Sequence, residues 1–468
     1  MPTRETGSGD GRRPAAAERG LNPTHPTVEA KPGSSVGGQA ASSPRRFASI
    51  LSHVSRDHVR ETVDVLAAFG TRHTLSTDTD PGRGNAAARR WIKRTLESFA
   101  ALPGSRLSVI EEEFDAEPST RLPLGARIVN LLAIIPGVDP EASRRATYVM
   151  AHYDSMTADP LDSTSDAPGA DDNASGCALA IEAARVLCTA PLPGTVVIVL
   201  TGGEEQGLLG ATFRASAAAA SRSLHVHAVL NCDIVGDPSG PAGSIHPARR
   251  DVVRVFSEGV PMAADDASRT MFRSNGLESD SPSRELARFI VDVARLEMTD
   301  VAPMLVFRPD RFRRGGDHTP FVTRGIPAVR FTEPDEHFSR QHARVDRSIE
   351  RGDLPQFVDA EYLAGVTRLN VAALCHLASA PPAPDRVRAG HSPTGSGTLV
   401  RWTPIASGAR HEVVCRLTTD AMWRWVFPAD GDEFAMVDLC LDDHIFGVRA
   451  VSAEGVAGVP RVAIPSTE

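Results

Sequence analysis

Between Ala146 and Asp233, three apolar runs rich in β-branched residues alternate with two segments of helical period, and each run breaks off close to a histidine or a carboxylate. The runs are Ala146 to Ala151, Gly194 to Thr201 and His225 to Leu230. The helical segments are Ser175 to Cys188 and Leu208 to Ala220. This order predicts a twisted, largely parallel sheet covered by helices on both faces, since parallel neighbours need a crossover and a buried sheet needs both faces packed. Ligands of such folds gather beyond the carboxyl ends of strands. His152, Asp154, Asp171, Asp172, Glu204, Glu205 and Asp233 all fall in those places, within the segments AHYDS, GADDNASG, LTGGEEQGLLGA and NCDIVG.

Taken singly, each segment has an ordinary explanation. His152 and Asp154 suit a surface turn, Asp171 to Asn173 suit a helix cap, Glu204 and Glu205 suit a solvated loop, and Asp233 suits a turn. Together, at successive strand ends, they form a set of imidazoles and carboxylates, the ligands zinc accepts when no thiolate is offered. In that reading His152 binds metal while Asp154 accepts a hydrogen bond from the other ring nitrogen and fixes the tautomer. A carboxylate beside a helix start is placed to bridge two cations. Adjacent glutamates after two glycines point in different directions, so one can bind metal while the other stays free as a base.

A chain of 468 residues is too long for one average domain, and a main unit of roughly 300 residues with a smaller one attached is expected. The boundaries read as a tail over 1–45, a main domain over 46–380 and a third unit over 381–468. The tail is rich in Gly, Pro, Ser, Arg and Ala, lacks the apolar core of a signal peptide, and is expected to be disordered. No window approaches ~20 uninterrupted apolar residues, so no membrane-spanning helix is expected, and the compartment stays open. The net charge of -9 argues against nucleic acid as a partner, because no basic stripe is available to release counterions. Arginine supplies the positive charge apart from Lys31 and Lys93. The six cysteines form no Cys-x-x-Cys pair, which argues against a structural zinc ribbon. Cys415 and Cys440 suit either a disulfide or two buried thiols.

Outside the central run, Arg60 to Phe69 and Ala86 to Phe99 show helical spacing, and Arg127 to Pro136 reads as a strand. Ser283 can cap a helix running to about Glu297, and Met304 to Phe307 reads as a strand. The loop after it carries Arg308, Arg311, Arg313 and Arg314, which are either solvated or available to a substrate carboxylate. Beyond the PPAPD linker the chain alternates apolar and polar residues over Thr398 to Thr403, His411 to Leu417 and Ile445 to Ala450. The fold class is therefore α/β, a mixed, mostly parallel twisted sheet flanked by helices, followed by a small all-β sandwich.

The four segments resemble those of the co-catalytic zinc aminopeptidase family, which includes bacterial leucine-type aminopeptidases and, more distantly, glutamate carboxypeptidases and glutaminyl cyclases. The resemblance covers roughly Phe47 to Ala378. It implies that His152 binds one zinc with Asp154 behind it, that Asp172 bridges two zinc ions, that Glu204 is the general base, and that Glu205 and Asp233 are ligands. The family's last ligand is a histidine followed four residues on by aspartate, which His342 and Asp346 satisfy. Gln341 stands where the family often carries an aromatic residue, and His337 is a nearby competitor. Asp317 and His318 match the family's DHxPF segment and are expected to shape the site without binding metal.

The function implied is a zinc-dependent exopeptidase with two Zn2+ per chain that cleaves the N-terminal bond of a peptide substrate. The alternatives are a glutaminyl-cyclase-like transferase, a carboxypeptidase, or a non-catalytic binding protein on the same fold. The EEQGLLGA and GADDNASG segments have the peptidase form. The C-terminal strings LVRWTP and EVVCRL resemble a fibronectin type III sandwich, in which Trp402 would pack between two sheets. Adhesion, positioning and a purely structural appendage are its candidate roles.

Overall fold

The computed structural model describes residues 45–241, 249–392, 397–405 and 408–466, so almost all of the expected N-terminal tail lies outside the described residues. The main sheet has eight strands: β1 (Ser108–Ala116), β2 (Ala126–Ile135), β3 (Arg145–His152), β4 (Thr195–Thr201), β5 (His225–Cys232), β6 (Val252–Phe256), β7 (Ala302–Val306) and β8 (Ala328–Thr332). Their spatial order is β1-β2-β4-β3-β5-β8-β6-β7. The central strands β4, β3, β5 and β8 are mutually parallel, as are β6 and β7. The joins of β1 to β2, β2 to β4 and β6 to β8 are antiparallel.

β4 shows why the sheet must be covered twice. All of its residues are buried. Val196, Ile198 and Leu200 enter one core with the helices Gly176–Leu187 and Ala360–Ser379. Val197 and Val199 enter the other with Ala211 and Ala215 of the helix Leu209–Ala220 and with Phe321. Alternate side chains of a strand point to opposite faces, so a run apolar at every position demands apolar partners on both sides.

Several element ends differ from the sequence reading for local reasons. The first long helix is Arg56–Ala68, starting earlier than expected because the Ser55 side chain accepts the main-chain N–H of His58. The helix expected to be capped by Ser283 is Pro282–Glu297, and its cap is Ser281. Ser283 instead donates its hydroxyl to Glu258, 3.2 Å away.

After Pro384 the chain forms two four-stranded sheets from β9 (Asp385–His391), β10 (Thr398–Thr403), β11 (Arg410–Leu417), β12 (Trp425–Ala429), β13 (Glu433–Met436), β14 (His444–Val451), β15 (Arg461–Val462) and β16 (Ile464–Pro465). The orders are β13-β10-β9-β16 and β12-β11-β14-β15. Trp402 of β10 is buried between them with Val400, Val413, Phe446 and Val448. Cys415 and Cys440 are both free, with Cys415 buried, so the disulfide alternative is set aside.

Candidate metal centre

The functional side chains converge at the carboxyl ends of β3, β4 and β5. His152 is the last residue of β3 and is almost wholly buried. Its Nδ1 donates to the main-chain carbonyl of Asp154, 3.1 Å away, which leaves Nε2 free to face the site. The Asp154 carboxylate was expected to receive that bond, but its Oδ1 lies 3.7 Å from the ring. It is committed elsewhere, accepting the main-chain N–H of Glu204 at 3.2 Å and of Glu205 at 3.1 Å. Asp154 therefore aims the glutamate pair, and its carbonyl aims the histidine.

The loop after β3 turns at Gly169, whose backbone is left-handed (φ 52°). A Cβ there would lie 2.7 Å from Ser155 Cβ and 2.9 Å from Arg72 Nη2, so only glycine fits. The turn delivers Asp171 and Asp172, both buried, to the start of the helix that crosses to β4. Gly202 and Gly203 then turn the chain out of β4 and present Glu204 and Glu205, and Asp233 follows the end of β5. His342 arrives from the stretch after β8, itself in a left-handed conformation (φ 53°).

These residues form two groups with one member in common. His152, Asp172 and Asp233 offer ligand atoms within 4.8 Å of one another, and so do Asp172, Glu205 and His342. Oδ1 of Asp172 lies 3.3 Å from His152 Nε2, and its Oδ2 lies 3.1 Å from His342 Nε2. His342 Nε2 is also 3.0 Å from Glu205 Oε1, and His152 Nε2 is 3.5 Å from Asp233 Oδ1. His337 is in neither group. Gln341 is tied away from the centre, donating to Glu336 at 3.0 Å and accepting from Arg314 at 3.1 Å.

The electrostatics are those of a site short of positive charge. Burial opposes a charged imidazole at His152, yet the carboxylates of Glu204, Asp233 and Asp172 outweigh it and raise its pKa well above the usual value. Burial likewise opposes charge on Asp172, and hydrogen bonds from His152 and His342 override it and hold the carboxyl well below its usual range. Burial pushes Glu204 well up, helped by Glu205 and Asp317 against the opposing pull of His152. Burial also lifts Asp317 to about 7, and its Oδ2 accepts the Thr201 hydroxyl.

Two divalent cations would fit this arrangement. The donors are oxygen and imidazole nitrogen, Asp233 Oδ1 is buried without a hydrogen-bond partner, and one carboxylate faces both groups. His318 stands apart, its Nε2 donating to the Pro309 carbonyl 2.8 Å away.

Three residues that sequence reasoning missed hold the centre in shape. Arg330 of β8 is fully buried and lies 2.7 Å from Asp233 Oδ2. A charge in the middle of the apolar strand AVRFT was its available signal, because a fully buried arginine needs a partner. Arg72 and Asp353 are also buried and bind the loop that carries Asp172. Nothing in their local sequence marks them.

A mixed sheet flanked by helices, with two candidate metal groups sharing a carboxylate at its strand ends, defines a metallopeptidase-type active site. The profile of peptidase family M28 matches residues 130–354. A probable zinc metalloprotease of Pyricularia oryzae is 41% identical over 417 residues, covering 86% of this chain and 82% of the relative. Another from Leptosphaeria maculans is 38% identical over 411 residues, covering 86% and 93%. The chain belongs to peptidase family M28. Among solved structures it is similar to the LapA aminopeptidase of Legionella pneumophila, at 20% identity and a TM-score of 0.49, over 71% of this chain and 74% of that one.

Proposed function

We propose that this protein is a two-zinc aminopeptidase that removes the N-terminal residue of peptides. The observation that carries the reading is the sharing of Asp172, one oxygen toward each group. His152, Asp172 and Asp233 would hold one zinc, and Asp172, Glu205 and His342 the other. When bound, the pair would supply Lewis acidity to activate water and polarise the scissile carbonyl.

Glu204 is the general base. It is partly buried beside both groups, and the hydrogen bond from its main-chain N–H to Asp154 fixes its place. It takes a proton from the attacking water and returns it to the leaving amine, a role that needs a carboxylate not already spent on metal. Glu204 and Asp233 also present negative charge to the free α-amino group of a substrate. Asp317 lies close enough to raise the proton affinity of Glu204.

Residues 381–468 we read as a separate domain of fibronectin type III type, on the strength of two packed four-stranded sheets with Trp402 between them. The test of the activity is metal analysis followed by a panel of aminoacyl chromogenic substrates, with chelator and with zinc restored. Two equivalents of zinc and zinc-dependent hydrolysis are expected. Absence of bound zinc overturns the reading, and cyclisation of an N-terminal glutaminyl peptide in place of hydrolysis moves the protein to the transferases.

A further inference from the structure

The loop that carries Asp172 is held through its main chain by two buried charged groups. Asp353 accepts the N–H of Asp171 on Oδ1 at 2.8 Å and the N–H of Asp172 on Oδ2 at 2.7 Å, and its own carbonyl accepts the N–H of Ala170 at 3.3 Å. Arg72 donates from Nη1 to the Pro168 carbonyl and from Nη2 to the Gly169 carbonyl at 2.9 Å. The same guanidinium donates from Nε to the carbonyl of Tyr153 at 2.7 Å, between His152 and Asp154, and from Nη1 to Leu66 at 3.1 Å. Asp353 is 7% exposed and Arg72 0%.

Burying an ionised group is costly unless its hydrogen-bonding capacity is met. Here two such groups of opposite sign meet much of theirs on one short loop, whose β-pairing among the described residues is the single bridge of Ala167 to Thr71. Charge-assisted bonds to main-chain groups are among the stronger hydrogen bonds and fix orientation as well as distance.

We infer that Asp353 and Arg72 are positioning residues that set the Asp172 carboxylate so that each oxygen serves a different metal, and that Asp353 thereby couples the two metal sites. The inference rests on the reading of Asp172 as the shared ligand. Asp353 lies on the same stretch between β8 and the helix Ala360–Ser379 as His342, so the segment that brings the last donor also braces the shared one. Since Asp172 belongs to both groups, loosening it weakens both sites together.

The test is the rate of zinc release into a chelator from the full chain. Asp353→Asn keeps the shape but turns an N–H toward one of the two amides. Its release of both zinc equivalents is expected to be faster by about 10- to 100-fold, the usual cost of losing a group that orients a ligand. Arg72→Lys, which cannot reach the same set of carbonyls, is expected to behave alike and serves if the first variant does not fold. Val448→Ala, a cavity in the distant sandwich, controls for general destabilisation and is expected to release zinc at the wild-type rate. Wild-type release from folded Asp353→Asn, acceleration of only one equivalent, or equal acceleration in Val448→Ala overturns the inference. A wild-type protein that takes up no zinc overturns the proposed function, and this inference falls with it.

Discussion

Arg330 lies 2.7 Å from Oδ2 of Asp233, while Oδ1 of the same carboxylate lies 3.5 Å from His152 Nε2. One oxygen thus meets a fixed cation of the protein, and the other faces the candidate metal group. Burial opposes charge on Asp233, and the Arg330 guanidinium overrides it and holds the carboxyl below its usual range.

Arg330→Met is expected to cost roughly 3–5 kcal/mol in the metal-free protein, because it takes from the buried Asp233 carboxylate its guanidinium partner and leaves only the longer contact with His152. With zinc bound the cost is expected to shrink, since a divalent cation then neutralises that carboxylate. Denaturant unfolding with and without zinc checks this. Equal losses in the two conditions would count against it.

Glu204→Gln is expected to retain two zinc equivalents and lose turnover by ~10²- to 10⁴-fold, the typical worth of a general base. Asp172→Ala is expected to lose both equivalents and all measurable activity. Metal content and turnover measured on the same preparations separate the two roles. Near-normal turnover in Glu204→Gln would refute the base assignment.

Glu258 supplies a pH-dependent term away from the metal centre. Burial pushes its pKa from 4.5 up to about 7, against hydrogen bonds from the Met262 N–H and the Ser283 hydroxyl. A carboxyl whose folded pKa is raised adds stability below its unfolded value and loses it as pH rises through the folded one. Glu258→Gln, which does not titrate, is therefore expected to gain on the wild type by roughly 1–3 kcal/mol between pH 4.5 and 8. Unfolding curves across that range provide the check, and parallel profiles would refute it.

Asp280, just before the helix Pro282–Glu297, reaches the C-terminal sheets. Its carboxylate accepts from Arg288 Nη1 at 3.0 Å and from Arg416 Nη2 of β11, with all three side chains buried. Nearby, Trp423 Nε1 donates to Glu285 at 2.8 Å. Asp280→Ala takes from Arg416 its carboxylate partner, leaving it the Leu417 and Asp420 carbonyls, while Arg288 keeps Glu285. It is expected to cost about 1–3 kcal/mol and to open the chain to proteolysis around Pro381 to Pro384. A melting temperature and digestion rate unchanged from wild type would show that the contact does not hold the C-terminal sheets in place.

The five residues singled out as donors from the sequence are the five that make up the two groups. His342 came only from the spacing the family resemblance implies, whereas His152, Asp172, Glu205 and Asp233 were legible because each lies at or just after the end of a strand or enters a loop whose period and composition are local facts. The helix Ala360–Ser379 was not, because it is buried nearly all round and shows no amphipathic stripe. β6 and β8 were missed because each carries an arginine inside a short apolar run, and β1 because its glutamates mask a half-exposed edge strand.

The sequence by itself determined the strand and helix alternation and the donor chemistry at the strand ends, which local periodicity and residue type carry, while the choice of Glu204 over Glu205 as base came from the family resemblance and is a proposal. The tertiary structure alone decided which oxygen of Asp172 faces which group, that Arg330 pairs with Asp233, and that Asp154 aims the glutamates instead of the histidine ring. The clamp from Asp353 to Asp171 spans 182 residues of chain, and the Arg330 pair spans neighbouring strands β5 and β8. Such contacts depend on sheet order, which no local window of sequence contains, and on burial, which makes a charged side chain seek whatever partner the fold brings within reach.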